Sequence, residues 1–472
     1  MHPSNRKEAT RAAWLETLKK YLSVAAPDSD RYWSNRLDAA SRDELTAIQN
    51  DKLAALAPFL YENSEFYRRR FDRLGLAPTD IRTVEDLPRW PVVTSKEMGE
   101  DAAQHPPYGT YQTIGAAEWA DRGWMQFSTS GTTGTPRCVR YTHVDRPYWE
   151  LANARALHSM GVRRGHTVFP LGGFGPHVFV WGATFALARM NIPVIPGGGL
   201  DTQARARVID RFKPTVVACT PSYALYLGRV MQDMGIDPAA SAVEILIVAG
   251  EPAVGVESTR RRLESLWNAR VVEFYGCTEA APHAGAFSCS YSCETGKTPF
   301  AHFMEDVAVW ELVDSQTLKP VDEGERGVTV CTSLNSESSP QLRFLLGDYT
   351  TMSRETCACG RSHIRAMGSM TGRSDDAINL RGIKFFPSQI EEAVRAVTGT
   401  GDEFEIVLST NADGLPIMTV RVEHVDHVNG AVSERVAMEI RSRCEVRADV
   451  EVLAPNTLPK TEFKARRVRR LS

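Results

Sequence analysis

The 472-residue chain predicts an α/β fold: a large N-terminal domain with mostly parallel sheets covered by helices, and a small mobile α+β domain at the C-terminus. Three observations carry this reading. Between Arg163 and Phe274, short β-branched runs alternate with stretches of helical length, as in a parallel sheet covered by crossover helices. From about Pro299 the pattern changes to strands and turns. A break then falls at Gly368 to Arg373, and strands and helices resume beyond it over a span of domain size,. The expected division is residues 1–371 and 372–472.

The elements follow in order. Leu45, Ile48, Leu53, Leu56 and Leu60 recur near helical spacing, so residues 41–75 read as helix,. Trp124 to Phe127 and Cys138 to Tyr141 read as strands flanking a polar loop. Val168 to Leu171 is a short apolar run, Phe179 to Met190 a helix, and Ile192 to Ile195 a β-branched run ending at Pro196-Gly197. Then come helix Arg205–Phe212, strand Thr215–Cys219, helix Pro221–Asp233, strand Glu244–Ala249, helix Glu257–Trp267 and strand Val271–Phe274. Val307 to Val313 and Gly327 to Thr332 read as strands. The last part has helix Gln389–Val397, strands Phe404–Leu408 and Met418–Val422, and helix Val432–Arg443.

Hydrophobic content of 43% and charged content of 24% are those of a soluble globular chain,. A net charge of −3 gives no reason to expect nucleic acid or an anionic membrane as partner,. The polar start MHPSNRKEATRAAW has no apolar core segment, and a cytoplasmic location is expected,. Nine cysteines without a secretory signal do not suggest a disulfide scaffold,.

The segment FSTSGTTGTPRCVRYT is the most informative. Its glycines permit tight turns and close approach of a ligand. Its hydroxyls and backbone N–H groups can converge on an anion. It is no Walker loop, because the G-x-x-x-x-G-K-[ST] spacing is absent. Ligands on open parallel sheets lie beyond the C-terminal strand ends. Three further loops fall there: Ala249-Gly250-Glu251-Pro252, Tyr275-Gly276-Cys277-Thr278-Glu279, and the start of Thr220-Pro221-Ser222-Tyr223.

These segments resemble, in order, the motifs of adenylate-forming enzymes, and more narrowly of the phenylacetate–CoA ligase family. Ser130-Gly131-Thr132-Thr133-Gly134 is similar to its phosphate loop, and Tyr275 to Glu279 to its Y-G-x-[ST]-E segment. Gly347-Asp348 is similar to its ribose-binding aspartate, Gly372-Arg373-Ser374-Asp375-Asp376 to its hinge, and LPKTEFK to its catalytic-lysine segment. The resemblance implies ATP-dependent activation of a carboxylic acid, expected to be aromatic, to an acyl-AMP, then transfer to coenzyme A. A carrier protein or an amine is the alternative acceptor, and a non-catalytic nucleotide- or carboxylate-binding relative is a third reading. The implied catalytic residues are Lys464, Glu279 (with Mg²⁺) and Thr278. Tyr275 and Gly276, with Gly250, Glu251 and Pro252 opposite, would line adenine. Asp348 would take the ribose and Arg373 would add a cation. Asp375 or Asp376 would be the hinge. His177, Pro176, Tyr223 and Cys277 are the candidate acid-pocket residues, and a homodimer is an open expectation. Two departures stand out: Arg137 falls where many relatives carry Lys, and Phe463 precedes Lys464 where relatives have Gly.

A second constellation is Cys289, His302, Cys357 and Cys359. Three thiolates and an imidazole suit tetrahedral Zn²⁺ in a closed, structural site. Some members of the resembled family carry a comparable set, and Cys293 competes as a ligand.

Overall fold

The computed structural model describes residues 3–22, 26–129, 137–176, 178–294, 296–380, 383–411, 416–424, 430–461, 465 and 467–471. Ser130 to Gly134, His177 and Lys464 lie outside the described residues.

The helical stretch 41–75 is two helices, Arg42–Asn63 and Glu65–Leu74. Ser41 and Glu44 form a reciprocal capping box that starts the first,. Ser64 caps the second, which stops at Gly75 in the left-handed region, φ 64°,.

Strands β1 (Gly123–Ser128) and β2 (Cys138–Thr142) form an antiparallel hairpin, closing with Ser128 opposite Cys138. The hydroxyl-rich loop joins these strands. The large sheet contains β3 (Val168–Pro170), β4 (Val216–Cys219), β5 (Ile245–Val248), β6 (Arg270–Cys277), β7 (Ala281–Phe287), β8 (Phe300–Phe303), β9 (Ala308–Val313), β10 (Arg326–Ser333), β11 (Phe344–Ser353) and β12 (Arg365–Arg373). Its order is β3-β4-β5-β6-β7-β8-β12-β11-β10-β9. The pairings from β3 to β6 are parallel, and helices Thr202–Phe212, Pro221–Asp233 and Glu257–Trp267 connect those strands. From β6 onward each pairing is antiparallel. Among the described residues no helix separates consecutive strands there, and parallel neighbours in sequence need such a crossover; β12 returns to pair with β8 after the β9–β11 meander. The Ile192–Ile195 run makes a single bridge, Val194 to Val168, rather than a strand.

Alternate residues of the parallel strands point to opposite faces. Val216, Ala218, Ile245, Ile247 and Val272 enter one apolar core. Val217, Cys219, Leu246, Val248 and Val271 enter a second core, with helices Pro221–Asp233 and Glu257–Trp267.

The C-terminal part has its own core of Ile378, Ile390, Val394, Phe404, Ile406, Val420, Val436 and Ile440. It holds the hairpin β13 (Ile378–Leu380) and β14 (Ile383–Phe385), and a sheet of β15 (Thr400–Thr410), β16 (Pro416–His424), β17 (Asp449–Leu453) and β18 (Val468–Arg470). The sheet order is β17-β16-β15-β18. Among the described residues no helix is long and apolar enough to cross a membrane.

Candidate active site

The site forms where the end of β6 meets the middle of β11 and the end of β12. The Tyr275 hydroxyl donates to Asp348 Oδ2 at 2.6 Å. Burial, then the Asp348 charge, pushes the Tyr275 phenol well above its ordinary pKa, so it stays a donor. Asp348 and Arg373 are cross-strand partners on β11 and β12. The Arg373 guanidinium lies 4.0 Å from Asp348 and makes a two-point contact with Asp375, at 2.9 and 3.1 Å. Burial disfavours its charge, but Asp375 and Asp348 outweigh that and hold it firmly protonated.

The hairpin is brought to the same place by two contacts. Arg137, the first described residue after the loop, donates to Glu279 Oε1 at 2.8 Å. The Tyr141 hydroxyl donates to the Thr278 carbonyl at 2.7 Å. The Ser128 N–H donates to the Pro176 carbonyl at 3.0 Å, so Pro176 sits at the base of the loop. Neither Arg137 as the partner of Glu279 nor Tyr141 as the tether of Thr278 was foreseen from sequence. A pair more than a hundred residues apart has no local signature.

The loop after β5 is pressed against β12. A Cβ on Gly255 would lie 1.9 Å from the Gly368 carbonyl oxygen, so only glycine fits. Gly250 has φ 85°, the left-handed region natural to glycine,. The Glu251 carboxylate accepts from Ser222 and from the Ala465 backbone.

The expected pocket residues are not all brought together. Cys277 packs with Phe274 and Tyr275 against the first core. Tyr223 is buried in the second, on the opposite face of the sheet. Its hydroxyl accepts from Arg205 at 2.8 Å and pairs with Thr202 at 3.2 Å. Tyr223 therefore does not share a pocket wall with Cys277. Helix Pro221–Asp233 starts at the strand end but turns this face into the core. The sequence reading also missed an aromatic group beside Pro176. Trp181 donates to the Gly175 carbonyl at 3.0 Å and packs against Phe174 and Phe185, and Phe185 against Trp124. The spacing of Trp181 and Phe185 on helix Val178–Met190 was its available signal.

The Cys/His residues converge at the other end of the molecule's antiparallel half. Cys289, His302, Cys357 and Cys359 are all buried, and their ligand atoms lie within 4.8 Å of one another. Cys289 Sγ is 4.0 Å from Cys357 Sγ, and Cys359 Sγ is 3.4 Å from His302 Nε2. His302 Nδ1 lies 3.3 Å from the His363 carbonyl, so a proton there leaves Nε2 for the thiols,. Burial lowers the His302 pKa, favouring the neutral ligand form. Cys293 is not in the group; its sulfur points to the Val271 carbonyl at 3.9 Å. The donor set fits a tetrahedral thiophilic ion.

A carboxylate on β11 tethered by a tyrosine near the end of β6, flanked by a hydroxyl-rich hairpin and backed by a separate C-terminal unit, defines a nucleotide-binding, adenylate-forming class of enzyme. Residues 82–334 match the AMP-binding enzyme family, and 382–470 match the AMP-binding enzyme C-terminal domain. The phenylacetate–coenzyme A ligase of Thermus thermophilus is 31% identical over 451 residues, 92% of this chain and 98% of that protein. The phenylacetate–coenzyme A ligase of Pseudomonas putida is 30% identical, over 93% of this chain and 97% of that protein. The crystal structure of 2-hydroxyisobutyryl-CoA ligase in the postadenylation state with 2-HIB-AMP superposes with a TM-score of 0.86 at 28% identity, covering 94% of this chain and 93% of that one. The same ligase in the thioesterification state, with 2-HIB-AMP and CoA, gives 0.70. The chain belongs to the AMP-binding enzyme family, in the group of the phenylacetate–coenzyme A ligases.

Proposed function

We propose that this protein is an AMP-forming acid–CoA ligase acting on an apolar, aromatic carboxylic acid. The carboxylate attacks the α-phosphate of ATP, giving acyl-AMP and pyrophosphate. The CoA thiol then attacks the acyl carbon, loses its proton and expels AMP. The observation that carries the reading is the Tyr275–Asp348–Arg373 group beside the hairpin that Arg137 and Tyr141 dock on Glu279 and Thr278.

Asp348 takes the ribose hydroxyls, and Tyr275 flanks adenine opposite Gly250 and Pro252. Arg137 and Arg373 supply positive charge where two anions must meet. Ser130 to Gly134 would hold the phosphates, and Lys464 would neutralise charge on the attacking and bridging oxygens. Glu279 would hold Mg²⁺ together with the phosphates; such sites usually pair one or two carboxylates with substrate oxygens. That ion would neutralise phosphate charge. The aromatic group around Trp181 and Phe174 supports an apolar acid. The C-terminal unit turns about Asp375 or Asp376 between the two steps. The better superposition on a postadenylation structure than on a thioesterification one supports such a turn.

The test is ATP–pyrophosphate exchange across aryl, aryl-acetic, amino-aryl and short aliphatic acids, with and without CoA. Exchange with an aryl acid and consumption of CoA thiol are expected. Exchange without thiol loss sinks the CoA assignment, and no exchange with any acid sinks the activity. For the cysteine cluster we propose structural Zn²⁺. Metal analysis of the purified protein should give about one zinc per chain, as expected for a closed four-ligand site. Cys359→Ser should lose the zinc, and full retention would discard the site.

A further inference from the structure

Glu251 lies in the loop after β5, and both of its carboxylate oxygens are already used. Oε2 accepts from the Ser222 N–H at 3.2 Å and the Ser222 hydroxyl at 2.7 Å. Oε1 accepts from the Ala465 N–H at 2.5 Å. Ser222 belongs to the first turn of helix Pro221–Asp233. Ala465 belongs to the C-terminal unit and directly follows Lys464. This carboxylate therefore crosses from one unit to the backbone of the other.

The tail is held at two points. Before Lys464, Thr461 donates through its N–H and its hydroxyl to Glu403, at 3.0 and 3.1 Å. Glu403 is on β15, so this anchor lies within the C-terminal unit. After Lys464, Ala465 is anchored on Glu251 of the N-terminal unit. Arg467 reinforces the second anchor, donating to the Ser222 hydroxyl at 3.4 Å and to Glu403.

The two anchors differ in kind. Thr461–Glu403 travels with the C-terminal unit, while Glu251–Ala465 exists only when the units are arranged as here. A hydrogen bond to an ionised acceptor is about twice as strong as a neutral one. An interaction made in one arrangement and lost in the other biases the equilibrium between them.

We propose that Glu251 is a positioning residue: it docks the C-terminal tail at Ala465, the residue after Lys464 in sequence, in the arrangement that carries out adenylation, and it releases the tail for the thiol step. The proposal rests on the acid–CoA ligase reading for its kinetic consequence but not for the contact itself. The structural arm is hydrogen exchange of the peptide containing Ala465 in the full-length protein without ligands. Glu251→Ala should speed exchange of that amide at least about tenfold, and Glu251→Gln, which keeps an acceptor oxygen, should fall between. Unchanged exchange in Glu251→Ala, with the rest of the chain as protected as in the parent, overturns the contact. This arm needs no acid and stands even if no acid supports exchange.

The kinetic arm uses the acid with the strongest pyrophosphate exchange. Glu251→Ala should lower the adenylation rate constant by about 10- to 100-fold, the scale of a misplacement of about 1 Å, with the KM for ATP moving less than about threefold. Thioester formation from supplied acyl-AMP and CoA should fall by less than about twofold. Glu251→Gln should recover most of the adenylation loss. An ATP KM effect without a rate effect would make Glu251 a nucleotide ligand instead. Equal losses in both half-reactions would make it merely structural. Either result overturns the proposal.

Discussion

Two networks of charge in this molecule use the same chemistry to opposite ends. In the N-terminal body, Arg155 makes a two-point contact with Asp306, at 2.8 and 2.9 Å, and reaches Asp38 at 3.0 Å. These side chains are 1–3% exposed. Lys52 closes the group, donating to the Asp306 carbonyl at 2.5 Å and to Asn335 at 2.9 Å. Between the two units, Asp402 on β15 pairs with Arg229 at 2.7 Å and Arg262 at 2.8 Å. Ser258 and Thr259 donate to Glu392 and Glu391 nearby. Here the arginines keep 32% and 29% of their side-chain exposure. Burial makes the difference. A desolvated pair cannot separate without leaving a charge stranded in the interior. A wet pair can exchange its partner for water at little cost. The first network binds helices and strands into one body, and the second suits a surface that parts, as the proposed turn of the C-terminal unit requires.

The largest effect is therefore expected in the body. Asp306→Ala leaves the buried Arg155 with Asp38 alone, at 3.0 Å, and breaks the two-point pair; it should cost about 3–5 kcal/mol, read as a large fall in the denaturant midpoint. A loss of about 1 kcal/mol or less, the scale of an exposed pair, would erase the distinction between the two networks. Glu273 on β6 sharpens the point from the other side. It is a buried carboxyl with no cation beside it among its described partners, the Val254 N–H and Ser369. Burial raises its pKa from 4.5 to about 7. A raised carboxyl contributes stability that is full below pH 4.5 and is lost as pH rises through about 7,. The shift corresponds to about 3 kcal/mol. Glu273→Gln, which mimics the protonated form, should be less pH-dependent between pH 5 and pH 8 than the parent by roughly that amount. Parallel pH profiles for the two proteins would remove Glu273 from the account.

The contrast also separates what the sequence disclosed from what it hid. The strands flanking the hydroxyl loop were legible because local apolar runs met glycines and hydroxyls, and they appear as β1 and β2. The parallel half was legible because its crossover helices impose an alternating pattern, and β4, β5 and β6 follow it. The antiparallel half was only partly legible. The run from Ala281 to Phe287 gave no strand signal, and its pairing with β6 and β8 is set by tertiary packing. The Cys/His group was legible in residue type, but spacing could not choose between Cys289 and Cys293. That depends on which way each sulfur faces after the turn at Ser292. Tyr223 faces the second core rather than Cys277, because a strand end points toward a site while the helix that follows can turn its side chains away. Asp402 and its arginines were invisible, since partners 140 to 173 positions apart leave no local mark.

The smallest effect should be at Asp402. Alanine there leaves Arg229 and Arg262 with about a third of their side chains in contact with water, 32% and 29%. Arg395, whose side chain is 1% exposed, keeps Glu391 at 2.8 Å. The arginines keep access to water, so the cost in stability should stay at about 1 kcal/mol. The exposed pairs are screened by salt over a Debye length of about 10 Å at 0.1 M. The difference between Asp402→Ala and the parent should therefore shrink further at high ionic strength. Because these contacts help hold the units in this arrangement, the same variant should slow adenylation modestly, by less than about fivefold, the rate equivalent of 1 kcal/mol. That loss should also fade as salt rises. A stability loss near that of Asp306→Ala, indifferent to salt, would mean that the interface is desolvated like the body. The two networks would then be one kind of structure, and the ease with which the units part would need another source than exposed charge.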